Sequence, residues 1–319
     1  MLQLAVDWFV YSLLHLDPES RGGQFLNFFI YDSVKIVLLL FVMISIVSFL
    51  RSYLPPGKVR RWIKGKKILG NIFASFFGAI TPFCSCSSIP IFLSFLKTGI
   101  PLGVTFSFLI TSPIINEYLV VLMLGFFGWK ITLLYVASGI MIGITAGLLL
   151  GKMNLRRYIV EDFNPTENEE EEELKFESIK KRIIYGINES KGIIKKLWIW
   201  ILVGVGLGAL IHNYVPRETI HAIISKTGIF SVPLATAIGV PMYGSCAAIV
   251  PIAVVLFKKG IPLGTALAFM MATSALSLPE AVLLRRAMKL NLIVIFFSIT
   301  AVGIIFTGYL FNYLQGLLM

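Results

Sequence analysis

The strongest constraint on how this chain can fold is that one passage occurs in it twice. The first copy runs from Gly78 through Thr81-Pro-Phe-Cys84-Ser85-Cys86-Ser-Ser-Ile-Pro90 to Lys97, then Gly99-Ile-Pro101-Leu-Gly103 and Ser112-Pro113-Ile-Ile-Asn116-Glu117. The second runs from Gly239 through Pro241-Met-Tyr243-Gly-Ser245-Cys246 and Pro251 to Lys258, then Gly260-Ile-Pro262-Leu-Gly264 and Ser277-Leu-Pro279-Glu280. Aligned on the two Gly-Ile-Pro-Leu-Gly pentapeptides, Gly78 falls on Gly239, Pro90 on Pro251, Lys97 on Lys258 and Cys246 on Ser85. A small gap brings Glu117 onto Glu280. Such a repeat predicts a fold made of two copies of one unit.

Hydrophobic residues make up 57% of the chain and charged residues only 14%, too apolar a balance for a soluble protein of this length. The runs 36–50, 131–150, 197–211 and 290–310 approach or exceed the thickness of a bilayer core. An all-α, polytopic membrane protein is expected, with the lipid bilayer as its first partner. The formal charge of +11 does not indicate nucleic-acid binding, because Lys and Arg sit in short loops beside apolar spans and no nucleic-acid motif accompanies them. Three cysteines form neither a disulfide framework nor a zinc motif, and His15, His212 and His221 have no metal-ligand spacing. The first apolar stretch carries Asp7 and His15 and lacks a basic start, so no cleavable signal peptide is expected.

In chain order, 1–23 reads as an interfacial helix ended by Asp17-Pro18. Residues 24–151 form membrane repeat 1, 152–195 a charged linker with Glu169 to Glu173 in a row, and 196–319 membrane repeat 2. Within each repeat one segment is broken (68–97, at Thr81-Pro82, and 229–259), and the next is interrupted at Ser112-Pro113 or Ser277-Leu-Pro279. Ser112 looks like an N-cap with Pro113 at the first helical position. Ser277 and Glu280 fit a capping box.

Charge predicts how the repeats are related. If each broken segment crosses the membrane, the basic stretches 51–67 and 152–196 fall on opposite sides. If each is a re-entrant hairpin, both fall on one side with Arg285, Arg286 and Lys289, gathering twenty of the 28 basic residues as the positive-inside rule requires. The expectation is therefore two inverted repeats, each with three spanning helices and one re-entrant broken-helix hairpin, in the cell inner or plasma membrane with both termini outside. Irregular backbone at membrane depth survives only inside protein or beside a wet cavity. Paired interruptions in inverted halves point to a transporter with its site at the midplane. A channel is the weaker reading for want of a recognisable filter. An intramembrane enzyme would need a nucleophile and base that no Ser/His or Asp/Asp pair supplies.

At a hairpin tip the second half-helix begins with free N–H groups and a positive dipole end. The candidate substrate-binding residues are Thr81, Cys84, Ser85, Cys86, Tyr243, Ser245 and Cys246, with Asn116 at the interruption. All three cysteines of the chain fall in the tips. Small residues there also let helices approach closely, which is the bland alternative. Thiolates select soft partners such as trivalent arsenic, Cu(I) or zinc, so Cys84, Cys86 and Cys246 would be metal ligands if the substrate is a metal ion. Glu117 and Glu280 are carboxylates within apolar segments and the candidates for proton coupling, with helix capping as the alternative role. Pro90, Pro101, Pro251 and Pro262 read as geometry. No cofactor is implied. Without a G-x-x-x-x-G-K-[ST] fingerprint, uphill transport would be secondary or would depend on a partner. The partners expected are a small-molecule or ion substrate and the bilayer, with a homo-oligomer allowed.

The passage Thr81 to Pro90, the pentapeptide Gly99–Gly103 and the group Ser112-Pro113-x-x-Asn116-Glu117 resemble the predicted-permease family that includes the ArsP organoarsenical efflux permeases. The likeness runs from about Val34 to Tyr313. It implies an inner-membrane permease exporting trivalent organoarsenicals such as methylarsenite, with Cys84, Cys86 and Cys246 as substrate ligands. Relatives taken to handle copper or zinc keep a Cu/Zn efflux permease, or a carrier of another small polar or anionic solute, as the alternatives.

Overall fold

The computed structural model describes residues 2–18, 20–51, 67–81, 85–97, 99–153, 155–160, 178–214, 228–242 and 246–318. These residues are overwhelmingly helical. Helix α1 (Leu2–Asp7), continued by a wider turn over Trp8–Leu13, lies against α2 (Arg21–Arg51). Asn27 Nδ2 donates to Asp7 Oδ1 at 2.7 Å and Gln3 Nε2 to Asn27 Oδ1 at 3.1 Å, fixing that contact. The first repeat continues with α3 (Lys67–Ile80), α4 (Ser85–Lys97), α5 (Leu102–Ile114) and α6 (Glu117–Lys152). Helix α6 is broken at Gly128, whose φ of 79° only glycine adopts without strain. The second repeat contains α7 (Ile179–Tyr214), α8 (Ser231–Gly239), α9 (Cys246–Lys258), α10 (Leu263–Ala275), α11 (Leu278–Leu284) and α12 (Leu290–Leu318). Four described stretches are long and apolar enough to cross a bilayer: Gly22–Ile46, Leu119–Lys152, Leu263–Leu284 and Leu290–Gly316. At 13 residues each, α4, α5, α9 and α10 are about 20 Å long, too short to cross alone.

A constant shift of 161 positions, Gly78 to Gly239, carries one repeat onto the other. Under it α4 coincides with α9 and α5 with α10, end for end. The contacts coincide as well. A side chain at Gly78 would meet Phe108 O at 3.0 Å and Ser112 N at 3.2 Å, and one at Gly239 would meet Phe269 O at 3.0 Å and Thr273 Oγ1 at 3.1 Å. The same shift places Glu117, first residue of α6, on Leu278, first residue of α11. The gap that pairs Glu117 with Glu280 in the alignment is therefore absent from the fold.

Helices α5 and α10 are the cores of the two units, and all 13 residues of each are buried. They have no solvent-facing side because protein surrounds them, and the Ser and Thr side chains they carry are buried with the rest. Helix α3 runs alongside α5 in the same direction: Ser107 Oγ donates to Asn71 Oδ1 at 2.6 Å, and further along Gly78 meets Ser112. Helix α4 returns in the opposite direction, with Ser88 against Ser112 (2.8 Å) and Phe95 against Phe108. The long arm of α6 is antiparallel to α5, and small residues set the spacing. Gly103 faces Gly147 and Gly151, while Ser107 and Thr111 stand over Gly147 and Gly143. Small residues one turn apart on both helices bring the backbones close, the usual device for packing in lipid. The outer face of α3 (Ile68, Leu69, Phe73, Phe76, Phe77, Ile80) is exposed, and Asn71, Ala74, Ser75 and Gly78 face inward.

Repeat-equivalent helices pack on one another. A side chain added at Gly303 of α12 would meet Ile142 Cγ2 of α6, its own counterpart, at 3.1 Å. Ser45 of α2 meets Ser190 of α7 at 2.9 Å, and a side chain added at Gly206, the counterpart of Ser45, would meet the ring of Phe29, the counterpart of Ser190, at 3.5 Å, so α2 and α7 run in opposite directions. The shift of 161 exchanges the positions that these contacts join. Beyond the end of α6, Val160 N donates to Ala287 O (2.9 Å) and Lys289 N to Tyr158 O (2.8 Å). The start of the linker and the α11–α12 loop therefore lie at the same end of the molecule.

Three expectations are corrected. Ser112-Pro113 does not start a helix: both residues lie in the last turn of α5, and the interruption falls at Ile115-Asn116. Proline is tolerated there because it removes only the bond to Leu109 O, and Ile115 N still donates to Thr111 O at 2.9 Å. Ser277 holds the N-cap position of α11, but its hydroxyl makes no capping bond. The charged linker is shorter than its composition suggests, because α7 begins at Ile179, capped by Ser178 (Lys180 N to Ser178 Oγ, 3.3 Å), and extends the second repeat's first helix. The Glu169–Glu173 run and the stretch 217–227 lie outside the described residues.

Candidate functional site

Each repeat builds the same arrangement: a helix pair whose tip stands level with an interruption. In repeat 1 the tip lies between Thr81 and Ser85. Gly78 and Ser88, on either side of it, both touch Ser112, three residues before the interruption at Ile115-Asn116. In repeat 2 Gly239 touches Thr273, and Leu278 N donates to Val240 O at 3.0 Å, tying the tip directly to the restarted helix. The arm leaving each tip also packs on the restarted helix of the other repeat, α4 on α11 and α9 on α6. Phe127 against Phe257, 5.8 Å between centroids, is one such contact. α5 and α10 touch between them. Four helix starts, at Ser85, Glu117, Cys246 and Leu278, thus lie within this central assembly. Each presents N–H groups without intrahelical partners.

The sequence-derived candidates divide sharply. Cys84, Tyr243 and Ser245 lie outside the described residues, as do the side chains of Ser85, Cys86 and Cys246, although Ser85 and Cys246 begin α4 and α9. Thr81 is half-buried. Its hydroxyl donates to Phe77 O at 2.7 Å, so it closes its own helix. Asn116 is buried at the interruption, and its carbonyl accepts from Val120 N at 2.9 Å to start α6. The two glutamates differ: Glu117 is exposed at the first position of α6, whereas Glu280 is 2% exposed in the first turn of α11. Both carboxylates complement the positive end of a helix. No group of three or more His, Cys, Asp or Glu side chains is assembled among the described residues, which do not include the cysteine side chains.

Two features at the first interruption were not singled out from the sequence. Ser88 and Ser112 join through their hydroxyls across the α4–α5 contact, both fully buried. Tyr135 of α6 donates its hydroxyl to Ile114 O at 2.9 Å, satisfying one of the last carbonyls of α5. Ser88 belongs to a Ser-rich run visible in the sequence. Tyr135 is 21 positions from its acceptor and carries no local signal.

Comparison with known proteins gives a consistent family. A Streptococcus mutans protein named as a two-component membrane permease complex subunit is 27% identical over 198 residues, covering 61% of this chain and 65% of the relative. The Bacillus subtilis UPF0718 protein YcgR is 21% identical over 198 residues, covering 61% and 66%. The UPF0718 protein MJ0584 of Methanocaldococcus jannaschii is 24% identical over 122 residues, covering 38% and 33%. The chain thus spans just under two thirds of the length of the first two relatives. No solved structure matches it. Residues 22–313 match the ArsP_1 family, described as a predicted permease; the chain belongs to that family and is a multi-pass membrane protein.

Proposed function

We propose that this chain is a secondary-active permease that exports a soft, thiol-reactive solute, a trivalent organoarsenical such as methylarsenite, through a midplane site between the two tips. The observation that carries the reading is the matched level of tip and interruption in the two repeats, and the opposite run of α2 and α7 supports it. The arms of the two pairs are about 14–21 Å long, so arms starting from one surface end inside a ~30 Å core without crossing it. α3–α4 and α8–α9 are then re-entrant hairpins entering from opposite faces. α2, α5 with the short arm of α6, the long arm of α6, α7, α10–α11 and α12 are the six crossings. In this reading 52–66 and 152–178 share the cytoplasmic side and both termini are outside. The linker contact with the α11–α12 loop supports this sidedness.

Helix starts at membrane depth attract electron-rich ligands such as thiolates and polarised oxygens. The sequence puts Cys84, Cys86 and Cys246 at two of these starts, Ser85 and Ser245 beside them and Tyr243 in the second tip. Cysteine sulfur would hold trivalent arsenic, with Thr81 and Asn116 bordering the cavity. An ion gradient would supply the drive, and Glu117, exposed at its helix start, is the better-placed carboxylate to exchange protons than buried Glu280. The relative named as a subunit of a two-component permease complex favours a second reading, in which export also needs a partner chain; co-purification from native membranes examines it. The primary test is a resistance and accumulation panel with methylarsenite, arsenite, copper and zinc in cells expressing the chain. Lower accumulation of methylarsenite alone supports the proposal. A response to copper or zinc alone replaces arsenic with a metal ion, and no response to any of the four removes the thiol-ligand reading.

A further inference from the structure

The two repeats share backbone contacts, but not the polarity of one seam. Where α3 meets α5 and the long arm of α6, repeat 1 places Asn71, Ser75, Ser107 and Thr111, all at most 3% exposed. The counterparts in repeat 2 are Val232, Thr236, Ala268 and Ala272. The register therefore does not depend on this particular set, since the same helices meet with Val, Thr and Ala at these positions and place their own hydroxyl contact, Ser231 with Thr265 at 3.0 Å, elsewhere along the seam. Thr236 donates to Val232 O and Thr273 to Phe269 O, so these two hydroxyls of repeat 2 close on their own helices. In repeat 1 Ser75 Oγ and Thr111 Oγ1 do not; both are buried with no hydrogen-bond partner among the described residues. Thr111 Oγ1 stands in the place that a Gly143 side chain would take, with Ser75 Oγ 3.1 Å and Ser107 O 3.2 Å from the same point. One turn along, Ser107 Oγ and Asn71 Oδ1 converge in the same way over Gly147. The glycines of α6 are what keep these oxygens together.

Buried hydroxyls without partners in a native interior call for an explanation, and an ion or water not described with the chain is the usual one. We infer that this seam binds a small hard monovalent cation, sodium in kind, through Ser75 Oγ, Thr111 Oγ1 and the Ser107 carbonyl, with the Ser107–Asn71 hydrogen bond one turn along holding the Ser107 side of the site in place. All three ligands are neutral oxygens, the set that suits a hard cation and not a soft one. No titratable side chain is among them, so the site would not take up a proton itself. It is closed to solvent in this conformation, and the cation would enter and leave in another. In the reading of the chain as a permease, the site names a candidate driving ion. Its existence does not depend on which solute is carried.

The test is thermal unfolding of the purified full-length chain in detergent, in sodium, potassium or choline chloride at equal ionic strength, with direct binding of radioactive sodium beside it. Sodium is expected to raise the midpoint with saturating concentration dependence while choline does not. Ser75→Ala and Thr111→Val should each weaken sodium binding about tenfold or more, and Thr236→Val in repeat 2 should leave it unchanged. If either variant fails to fold, saturable sodium binding to the wild type, unaffected by Thr236→Val, still supports the site. Equal midpoints in sodium and choline with no bound sodium overturn it and leave the hydroxyls to buried water. An equal response to sodium and potassium overturns the sodium assignment, and full sodium binding by a folded double variant places the ion elsewhere.

Discussion

The close packing of α5 on α6 gives a prediction whose sign is set by local geometry. A methyl group on Gly103 would stand 2.6 Å from Gly147 O and 3.0 Å from Gly151 Cα. An ordinary C···O contact is about 3.3–3.6 Å, so the two helices must separate by roughly 0.7 Å or more. Both obstructing atoms are backbone, and no rotamer change relieves them. Overpacking of this kind costs about 1–3 kcal/mol, and the better helix propensity of alanine returns about 1 kcal/mol. Gly103→Ala should therefore lose about 0–2 kcal/mol of stability, and stand about 1–3 kcal/mol below a glycine-to-alanine change made in open space. Gly192 in α7 has nothing within 4 Å of the same position. Gly192→Ala should then show the propensity gain alone, up to about 1 kcal/mol. Reversible unfolding in mixed micelles, followed by circular dichroism, measures both. If Gly103→Ala is as stable as Gly192→Ala, the α5–α6 approach described here is wrong.

Two predictions concern the chemistry of the site. Cys84→Ser, Cys86→Ser and Cys246→Ser keep side-chain size, so each is expected to abolish export at normal expression, as read by cellular accumulation; intact export by the triple variant would reduce the cysteines to packing residues. Glu117→Gln keeps shape and much of the hydrogen bonding but cannot titrate. It should still bind and exchange solute in vesicles while losing accumulation driven by a pH gradient, and wild-type accumulation would leave Glu117 a helix-start residue only.

The positions of most breaks could be read from the sequence because glycine and proline announce them. Thr81-Pro82 and Val240-Pro241 stand where α3 and α8 stop, and the two pentapeptides turn α4 into α5 and α9 into α10. Pro113 misleads because a proline in a final turn forfeits one hydrogen bond and need not mark a boundary. The early start of α7 was obscured by charge: Lys180, Lys181, Arg182 and Glu189 suggest a solvated loop, yet Lys, Arg and Glu are good helix formers. The contrast between exposed Glu117 and buried Glu280 was hidden by an alignment gap that the fold does not contain. The polar seam could not be seen at all, since Asn71 and Ser107 are 36 positions apart and meet only once the direction of α3 along α5 is known.

A midplane site requires inverted repeats whose tips enter the membrane and turn back. Single cysteines at Ser52 and Asn168, in a background lacking the native three, can be labelled with a membrane-impermeant thiol reagent in cells and in inverted vesicles. Both are predicted to react from the cytoplasmic side only, because α3–α4 returns to the face it entered and the remaining crossings of the first repeat are even in number. Reaction from opposite sides would mean that α3 and α4 together cross the bilayer, and the midplane site between two re-entrant tips would not exist.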